Sequence, residues 1–192
     1  PLLWDVAQTE NLFSLLGCIQ NEQKRKAIET ALVYYQKNTK DLLSQQRKQV
    51  IHNDMNPDNV LVNKENPCSM TGMIDFGDML YAPLVNDLSV ACAYETIREE
   101  SLYHGSKHLL LGYHAENRLT EDELRLVPML AYNRIAMSLI ISEWRAEEHP
   151  ENKEYILGNI SHTWMVFEDI ATEGIRRVGE QLEGFAAANI KA

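Results

Sequence analysis

Two short polar motifs, each joined to a β-branched segment, place the strongest constraint on the fold of this chain. Residues 52–59 read His-Asn-Asp-Met-Asn-Pro-Asp-Asn, and residues 75–78 read Asp-Phe-Gly-Asp. The stretches 50–52 and 59–62 flank the first motif, and residues 70–76 lead into the second. Short β-branched runs bounded by turn residues indicate strands. We therefore expect both motifs to lie on loops between small strands, with a hairpin between them.

The side chains of the two motifs are the groups that phosphoryl transfer from ATP requires. Asp54 can accept or orient the proton of an attacking hydroxyl. Asn59 and Asp75 offer the oxygen ligands that Mg²⁺ prefers. His52 is expected to order the loop through hydrogen bonds, because Asp54 already supplies a proton acceptor. The alternative is that these residue types simply favour turns, but their order and their flanking strands favour kinase-like machinery.

Composition limits the class of protein and its partners. The 192 residues are 45% hydrophobic, as in an ordinary globular domain, and carry a formal net charge of −10 that disfavours nucleic acid and anionic membrane surfaces. The sequence has no recognisable export signal or membrane-spanning apolar run, and its three cysteines form no paired pattern. We therefore expect a cytoplasmic protein that binds neither nucleic acid nor membrane. A start at Pro1 also suggests part of a longer chain.

Apolar residues at helical spacing predict that most of the remaining chain is α-helical. Asn86 or Asp87 is expected to cap the helix that follows the second motif. The final helix carries its apolar residues on one face, and their expected role is core packing. The predicted helices cover residues 22–49, 86–99, 103–117, 120–144 and 152–185.

The helix that begins after residue 120 is expected to be the central helix of the fold. Thr120 and Glu123 have the spacing of a capping box. Pro128 is expected to kink or split this helix, because proline removes a backbone donor. Arg134 lies among apolar residues of the same helix, so its charge requires a carboxylate partner if it is buried.

The surroundings of the first motif disfavour a protein kinase. Such an enzyme would normally have Arg at position 53 and Lys at position 56, and both positions are Asn here. A helix is expected to begin near Asp87, soon after Asp75, which leaves no room for a peptide-docking activation segment. A small acceptor molecule is therefore favoured over a protein substrate.

Residues 50–62, 72–79 and 86–88 resemble the aminoglycoside phosphotransferase and choline kinase superfamily, which has a protein-kinase-like fold. The Ile-Asp-Phe-Gly-Asp-Met form of the second motif is most similar to the hydroxylysine kinase-like branch. The resemblance implies an α+β, mostly α-helical fold, in which a small β-hairpin carries the catalytic and metal-binding loops.

The resemblance also implies roles for individual residues. Asp54 would be the catalytic aspartate, and Asn59 and Asp75 would bind Mg²⁺. Asp87 would be a structural acid that braces the catalytic loop. Position 53 is usually Gly in this superfamily, and Asn53 departs from that pattern. Asn tolerates left-handed backbone angles better than most residues, so the loop is expected to form.

The part of the family's machinery that holds the nucleotide is not recognisable here. None of the nine glycines forms a phosphate-covering loop, and no lysine lies on a suitable strand. The chain therefore resembles the C-terminal lobe alone, a single unit over residues 1–192 with a catalytic segment at 50–88 and acceptor-side helices at 89–185. The N-terminal nucleotide lobe of the same longer chain would be its partner, and the isolated lobe is expected to turn over little substrate.

Acceptors in this superfamily are typically amine-bearing alcohols, so acidic and aromatic residues are candidate contacts. Asp78, Glu143 and Trp144 are such candidates, as are Glu147 and Glu148. The alternatives are added charge near the metal or a turn cap for Asp78, a solvated helix end for the glutamates and core packing for Trp144. Hydroxylysine, homoserine, choline, ethanolamine and aminoglycosides all remain open as acceptors.

Two functions follow from these observations. The first is an ATP- and Mg²⁺-dependent transfer of the γ-phosphoryl group to a hydroxyl of a small amine-bearing molecule. The second is a non-catalytic binding or regulatory module that retains the kinase-like fold. The presence of Asp54, Asn59 and Asp75 together favours the first.

Overall fold

The computed structural model describes residues 2–189, and most of them are helical. Segments of 3₁₀-helix occupy Val6–Cys18, Pro57–Asn59, Phe76–Asp78 and Pro150–Asn152. The α-helices are α1 (Glu22–Asn38), α2 (Lys40–Ser44), α3 (Val85–Glu99), α4 (Leu102–Glu116), α5 (Glu121–Glu148), α6 (Lys153–Ile156), α7 (Ile160–Glu173) and α8 (Ile175–Asn189). The strands are β1 (Lys48–Ile51), β2 (Val60–Val62), β3 (Met70–Met73) and β4 (Leu80–Pro83). The predicted α+β, mostly helical class is confirmed.

The four strands form two separate antiparallel pairs. β2 and β3 make the predicted hairpin, with Val60 opposite Met73. β1 pairs with β4, with Val50 opposite Tyr81. β4 was not predicted, because its four residues show no clear alternation. The first motif therefore lies between β1 and β2, and the second lies between β3 and β4.

The predicted helix over residues 22–49 is wrong at its C-terminal end. α1 stops at Asn38, Thr39 has a non-helical backbone, the short α2 follows, and the chain enters β1 at Lys48. Residues 36–41 are all polar, so no apolar contact bridges the seven-residue step from Tyr35 to Leu42. Pairing of β1 with β4 then supplies backbone hydrogen bonds that outweigh the helical preference of the last residues.

The predicted helix over residues 152–185 is also wrong, since it is divided into α6, α7 and α8. Gly174 separates α7 from α8 and has φ of +91°. A residue with positive φ ends a helix, and glycine adopts such a backbone conformation without steric penalty. The apolar spacing is helical on both sides of Gly174, so it does not reveal the break between α7 and α8.

The central helix α5 carries the largest share of the core. It continues through Pro128 as one element instead of splitting there. By length and composition α5 could cross a membrane, but 78% of its most apolar window is buried inside the protein, as expected for a core helix. α5 packs against α1, α3, α7, α8 and the first 3₁₀ segment. Among its buried residues are Leu126, Leu130, Ile135, Met137 and Ile140.

The predicted capping box at the start of α5 is confirmed and includes a further contact. Glu123 accepts a hydrogen bond from the backbone N–H of Thr120 at 2.8 Å, and Thr120 accepts one from the backbone N–H of Glu123. The Glu123 carboxylate also accepts from Arg47 Nε at 2.8 Å, next to β1. One buried carboxylate therefore joins the start of α5 to the strand that leads into the first motif.

Replacement of Glu123 by Ala is expected to lower the free energy of unfolding of this chain by about 2 kcal/mol, because the helix cap and the Arg47 contact are lost together. Urea denaturation monitored by circular dichroism measures this change. Glu121→Ala is the matched control, since Glu121 is exposed in the same helical turn, and its effect should stay within about 0.5 kcal/mol. Equal stabilities of the two variants would contradict the assigned contact.

Candidate active site

The loop after β1 is held in an uncommon backbone conformation by Asp87. Asn53 has φ of +65° and is buried, and its backbone N–H donates to Asp87 Oδ1 at 2.9 Å. Asn is one of the few residues other than glycine that enter this region readily. The expected cap at Asn86 or Asp87 is wrong: Leu84 is the N-cap of α3, and neither side chain caps the helix. The Asp87 carboxylate contacts the first motif instead.

Asp54 has both carboxylate oxygens engaged by hydrogen-bond donors. Oδ1 accepts from Tyr94 Oη at 3.2 Å and from Arg134 Nη2 at 3.3 Å. Oδ2 accepts from Asn56 Nδ2 at 2.9 Å and from Asn59 Nδ2 at 3.0 Å. The side chain keeps 20% of its surface exposed. Donors from the loop, from α3 and from α5 thus fix the orientation of one accessible carboxylate.

His52 connects the two motifs. Its Nε2 lies 2.9 Å from the carbonyl oxygen of Ile74, so that nitrogen carries the hydrogen, and its Nδ1 accepts from the backbone N–H of Asp54 at 3.4 Å. The ring is buried and packs on Phe76 with 4.9 Å between ring centroids. Both ring nitrogens are used in this arrangement, which fits the expected ordering of the loop and not acid or base chemistry.

Asn59 and Asp75 lie at the junction of the same two segments. The backbone N–H of Ile74 donates to the carbonyl oxygen of Asn59 at 3.0 Å, which brings the second motif beside the first. Asp75 itself has φ of +62° and is exposed. Asn59 uses its amide nitrogen to contact Asp54. Across residues 2–189, neither the Asn59 Oδ1 atom nor the Asp75 carboxylate accepts a hydrogen bond.

The charges of nearby acids affect the pKa of Asp78. Burial is the largest cause that raises the pKa of the Asp78 carboxyl above its usual value, and Asp54 and Asp75 raise it further. Arg134 and His52 act in the opposite direction. The candidate site therefore concentrates negative charge that is only partly neutralised by the protein, and a divalent cation would complete that neutralisation.

The donor set fits Mg²⁺ better than it fits a transition metal. No group of three or more His, Cys, Asp or Glu side chains in the described part of the chain is arranged to hold a metal. Mg²⁺ does not need such a group, because it retains several waters and binds through one or two carboxylates and phosphate oxygens of the substrate. The free oxygens of Asn59 and Asp75 satisfy that requirement.

Glu143 and Trp144 are not brought to Asp54. They follow Arg134 on α5 by nine and ten residues, which corresponds to about 14 Å along the helix axis. Glu143, Glu147 and Glu148 lie near Cys18. Burial is the largest cause that raises the pKa of the Cys18 thiol to about 11, and these glutamates raise it further. Trp144 packs against the core.

Sequence reasoning missed three residues of the site. Tyr94 and Asn56 gave no individual signal, because a tyrosine on a helix and an asparagine in a turn are common. Arg134 did give a signal, since a charged residue in an apolar helix needs a partner. The sequence could not identify that partner as Asp54, which lies 80 positions away.

Comparisons with known proteins agree with this geometry. Residues 8–125 match the phosphotransferase enzyme family. Hydroxylysine kinase of Mus musculus is 24% identical over 184 residues, covering 93% of this chain and 49% of the relative. Hydroxylysine kinase of Xenopus laevis is 23% identical over 186 residues, covering 92% of this chain and 50% of the relative. The chain thus spans about half the length of these curated relatives. No solved structure matches it.

Proposed function

The chain belongs to the phosphotransferase enzyme family, and from that premise we propose that it supplies the acceptor-side half of a small-molecule kinase. The reaction is transfer of the γ-phosphoryl group of ATP, with Mg²⁺, to a hydroxyl of a small amine-bearing acceptor. Hydroxylysine is the first acceptor to test, because the curated relatives are named hydroxylysine kinases. The cytoplasm is the proposed compartment, since three free cysteines suit reducing conditions.

The observation that carries this proposal is the arrangement around Asp54. Its carboxylate is partly exposed and oriented by four donors, and its partner Asn59 has an oxygen free for a cation. A positioned carboxylate next to oxygen ligands is the inventory that phosphoryl transfer needs, because catalysis is mainly positioning and charge stabilisation.

The residues of the chain divide the work as follows. Asp54 receives the hydrogen bond of the acceptor hydroxyl and aligns its oxygen for attack. The amide nitrogen of Asn59 holds Asp54. The amide oxygen of Asn59 and the carboxylate of Asp75 would hold Mg²⁺. When bound, the cation would neutralise charge on the transferred phosphoryl group. His52 links the two loops, and Asp87 holds the backbone of the first loop at Asn53. Asp78 adds negative charge beside them.

The exposed apolar surface of the strands supports the proposal that another half of a longer chain is the partner. Nine of the eleven large hydrophobic residues that are exposed in the described chain lie between positions 50 and 81. Exposed apolar residues concentrated in one segment support an interaction there. These nine residues, which we call the strand surface, are Val50, Leu61, Val62, Met70, Met73, Ile74, Phe76, Met79 and Tyr81.

A non-catalytic module is the second candidate, and the strand surface is the observation that favours it. The same surface could receive a separate regulatory subunit. Under that alternative the fold and the loops would be retained for binding, and the acidic site would have no catalytic task.

An acceptor screen distinguishes the two functions. The longer protein that contains this chain is incubated with ATP and Mg²⁺, and ADP release is measured with hydroxylysine, homoserine, choline, ethanolamine and an aminoglycoside. We expect one of the amine-bearing alcohols to stimulate ADP release, with loss of activity when EDTA removes the metal. The chain of 192 residues is assayed in parallel and should show little turnover.

Mass spectrometry of the acceptor provides the control, because a gain of one phosphoryl group separates transfer from simple hydrolysis. If the longer protein binds Mg²⁺ and ATP but phosphorylates no acceptor, or binds neither, the kinase proposal fails. The binding module then becomes the better description.

A further inference from the structure

A buried guanidinium lies beside the proposed catalytic aspartate. Arg134 is 2% exposed and donates from Nη2 to Asp54 Oδ1 at 3.3 Å. Its Nη1 donates to the carbonyl oxygen of Trp4 at 3.1 Å. The guanidinium also stacks on the Trp4 ring, with 4.5 Å from its carbon to the ring centroid. Three distant parts of the sequence therefore meet at one side chain.

The charge of Arg134 depends on Asp54. A guanidinium taken out of water needs a compensating negative charge nearby. In the part of the chain that the structure describes, Asp54 is the one carboxylate that forms a salt bridge with Arg134. Arg134 is almost fully buried, and this low-dielectric environment strengthens its electrostatic interaction with Asp54.

Arg134 is buried, but the carboxylate that it contacts is not. Its guanidinium directs one nitrogen at Asp54, whose side chain is 20% exposed. The arginine is therefore placed to fix the orientation of a carboxylate that faces the site.

We propose that Arg134, together with the Tyr94 hydroxyl, is a positioning residue for phosphoryl transfer. The two side chains hold Asp54 Oδ1 from α5 and α3, while Asn56 and Asn59 hold Oδ2 from the loop. This inference rests on the proposed function, because it assigns Arg134 a task in the same reaction. Arg134 acts through Asp54 and not through the substrate.

The contact with Arg134 affects how Asp54 meets the acceptor. The guanidinium, 3.3 Å away, fixes the position of Asp54 Oδ1. Asp54 then orients the hydroxyl of the acceptor and takes its proton late, after most of the bond to the leaving group has broken. Such timing suits the loose transition state of phosphoryl transfer, in which the attacking oxygen gains little positive charge early.

A double-mutant cycle in the longer protein tests this inference. The variants are Arg134→Met, Asp54→Ala and the double variant, with Arg134→Lys and Tyr94→Phe beside them. Arg134→Met is expected to lower kcat by about 10²-fold, as a misplaced group would, with little change in KM for ATP. Arg134→Lys should recover part of that loss because it keeps the charge, and Tyr94→Phe should lower kcat by about tenfold.

Non-additivity separates positioning from a structural role. If Arg134 acts through Asp54, adding Arg134→Met to Asp54→Ala should not lower the residual kcat further. Asn133→Leu is the control, because Asn133 is buried on the same helix and bonds Thr9 instead of the site. It should change the urea midpoint of unfolding and leave kcat unchanged. Multiplicative losses in kcat, or an equal loss in the Asn133 variant, would overturn the positioning role.

The same double-mutant cycle, measured on stability, distinguishes failure of the ion pair from failure of the proposed function. Asp54→Ala leaves the Arg134 charge buried without a partner, so the double variant should have a higher urea midpoint than the sum of the single shifts predicts. Additive midpoints would overturn the ion pair itself, whatever the enzyme does. Non-additive midpoints in a longer protein that transfers no phosphate would refute the proposed function, and with it the catalytic task of Arg134, while the ion pair stands.

Discussion

If the proposed function holds, replacement of Asp54 by Asn is expected to lower the kcat of the longer protein by about 10²- to 10⁴-fold, the usual contribution of a positioned acid or base. Asn has the shape of Asp but presents one NH₂ group in place of an acceptor oxygen. That group would face the amide nitrogens of Asn56 and Asn59, which both donate to Asp54 Oδ2. The acceptor hydroxyl would lose its negatively charged partner.

The loss should fall on kcat more than on KM for ATP, because the Asp54 contacts involve the loop, α3 and α5. Steady-state measurement of ADP release with the best acceptor gives both constants. Asp58→Asn is the matched control: Asp58 is exposed in the same loop, so the same change of charge should leave kcat within about twofold. An Asp54→Asn enzyme with wild-type turnover would refute the assignment of Asp54 as the catalytic aspartate.

The sequence identified the residues of the two motif loops better than the residues that surround them. The two motifs contain the groups in a local order, so Asp54, Asn59 and Asp75 could be nominated without a fold. His52 could be expected to order the loop for the same reason. The contacts of Asp54 with Tyr94 and Arg134 instead depend on how α3 and α5 pack, and no local pattern specifies that packing.

The errors in the fold have related physical causes. The first two residues of β1, Lys48 and Gln49, carry helix-compatible side chains, and pairing with β4 makes an extended backbone favourable for them. The break at Gly174 depends on one positive φ value between two segments that share an apolar period. Periodicity detects the buried face of a helix, but it does not detect where the backbone of that helix ends.

The position of α3 determines how well the site is assembled, because α3 supplies both Asp87 and Tyr94. Asp87 holds the backbone of Asn53, and Tyr94 holds the carboxylate of Asp54. α3 in turn packs closely against α4. A substitution at the contact between these helices should therefore disturb the site without touching any of its residues.

Gly105 lies at that contact and has no room for a side chain. A Cβ atom there would meet the backbone nitrogen of Thr96 at 2.5 Å and the backbone carbonyl carbon of Glu95 at 2.7 Å. Backbone atoms cannot rotate away as a side chain can, so the helices must separate. Gly105→Ala is expected to lower the free energy of unfolding of this chain by about 3 kcal/mol or more, the upper part of the range for overpacking.

Gly112→Ala on the same helix is the matched control. Gly112 is exposed, and nothing lies within 4 Å of the position its Cβ would occupy. Alanine is the better helix former, so this variant should gain up to about 1 kcal/mol. If the α3 and α4 backbones touch at Gly105, urea denaturation should show a lower free energy of unfolding for Gly105→Ala and a higher one for Gly112→Ala. Two variants that are both stabilised would show that the helices are farther apart, and that Tyr94 and Asp87 need another explanation for their placement.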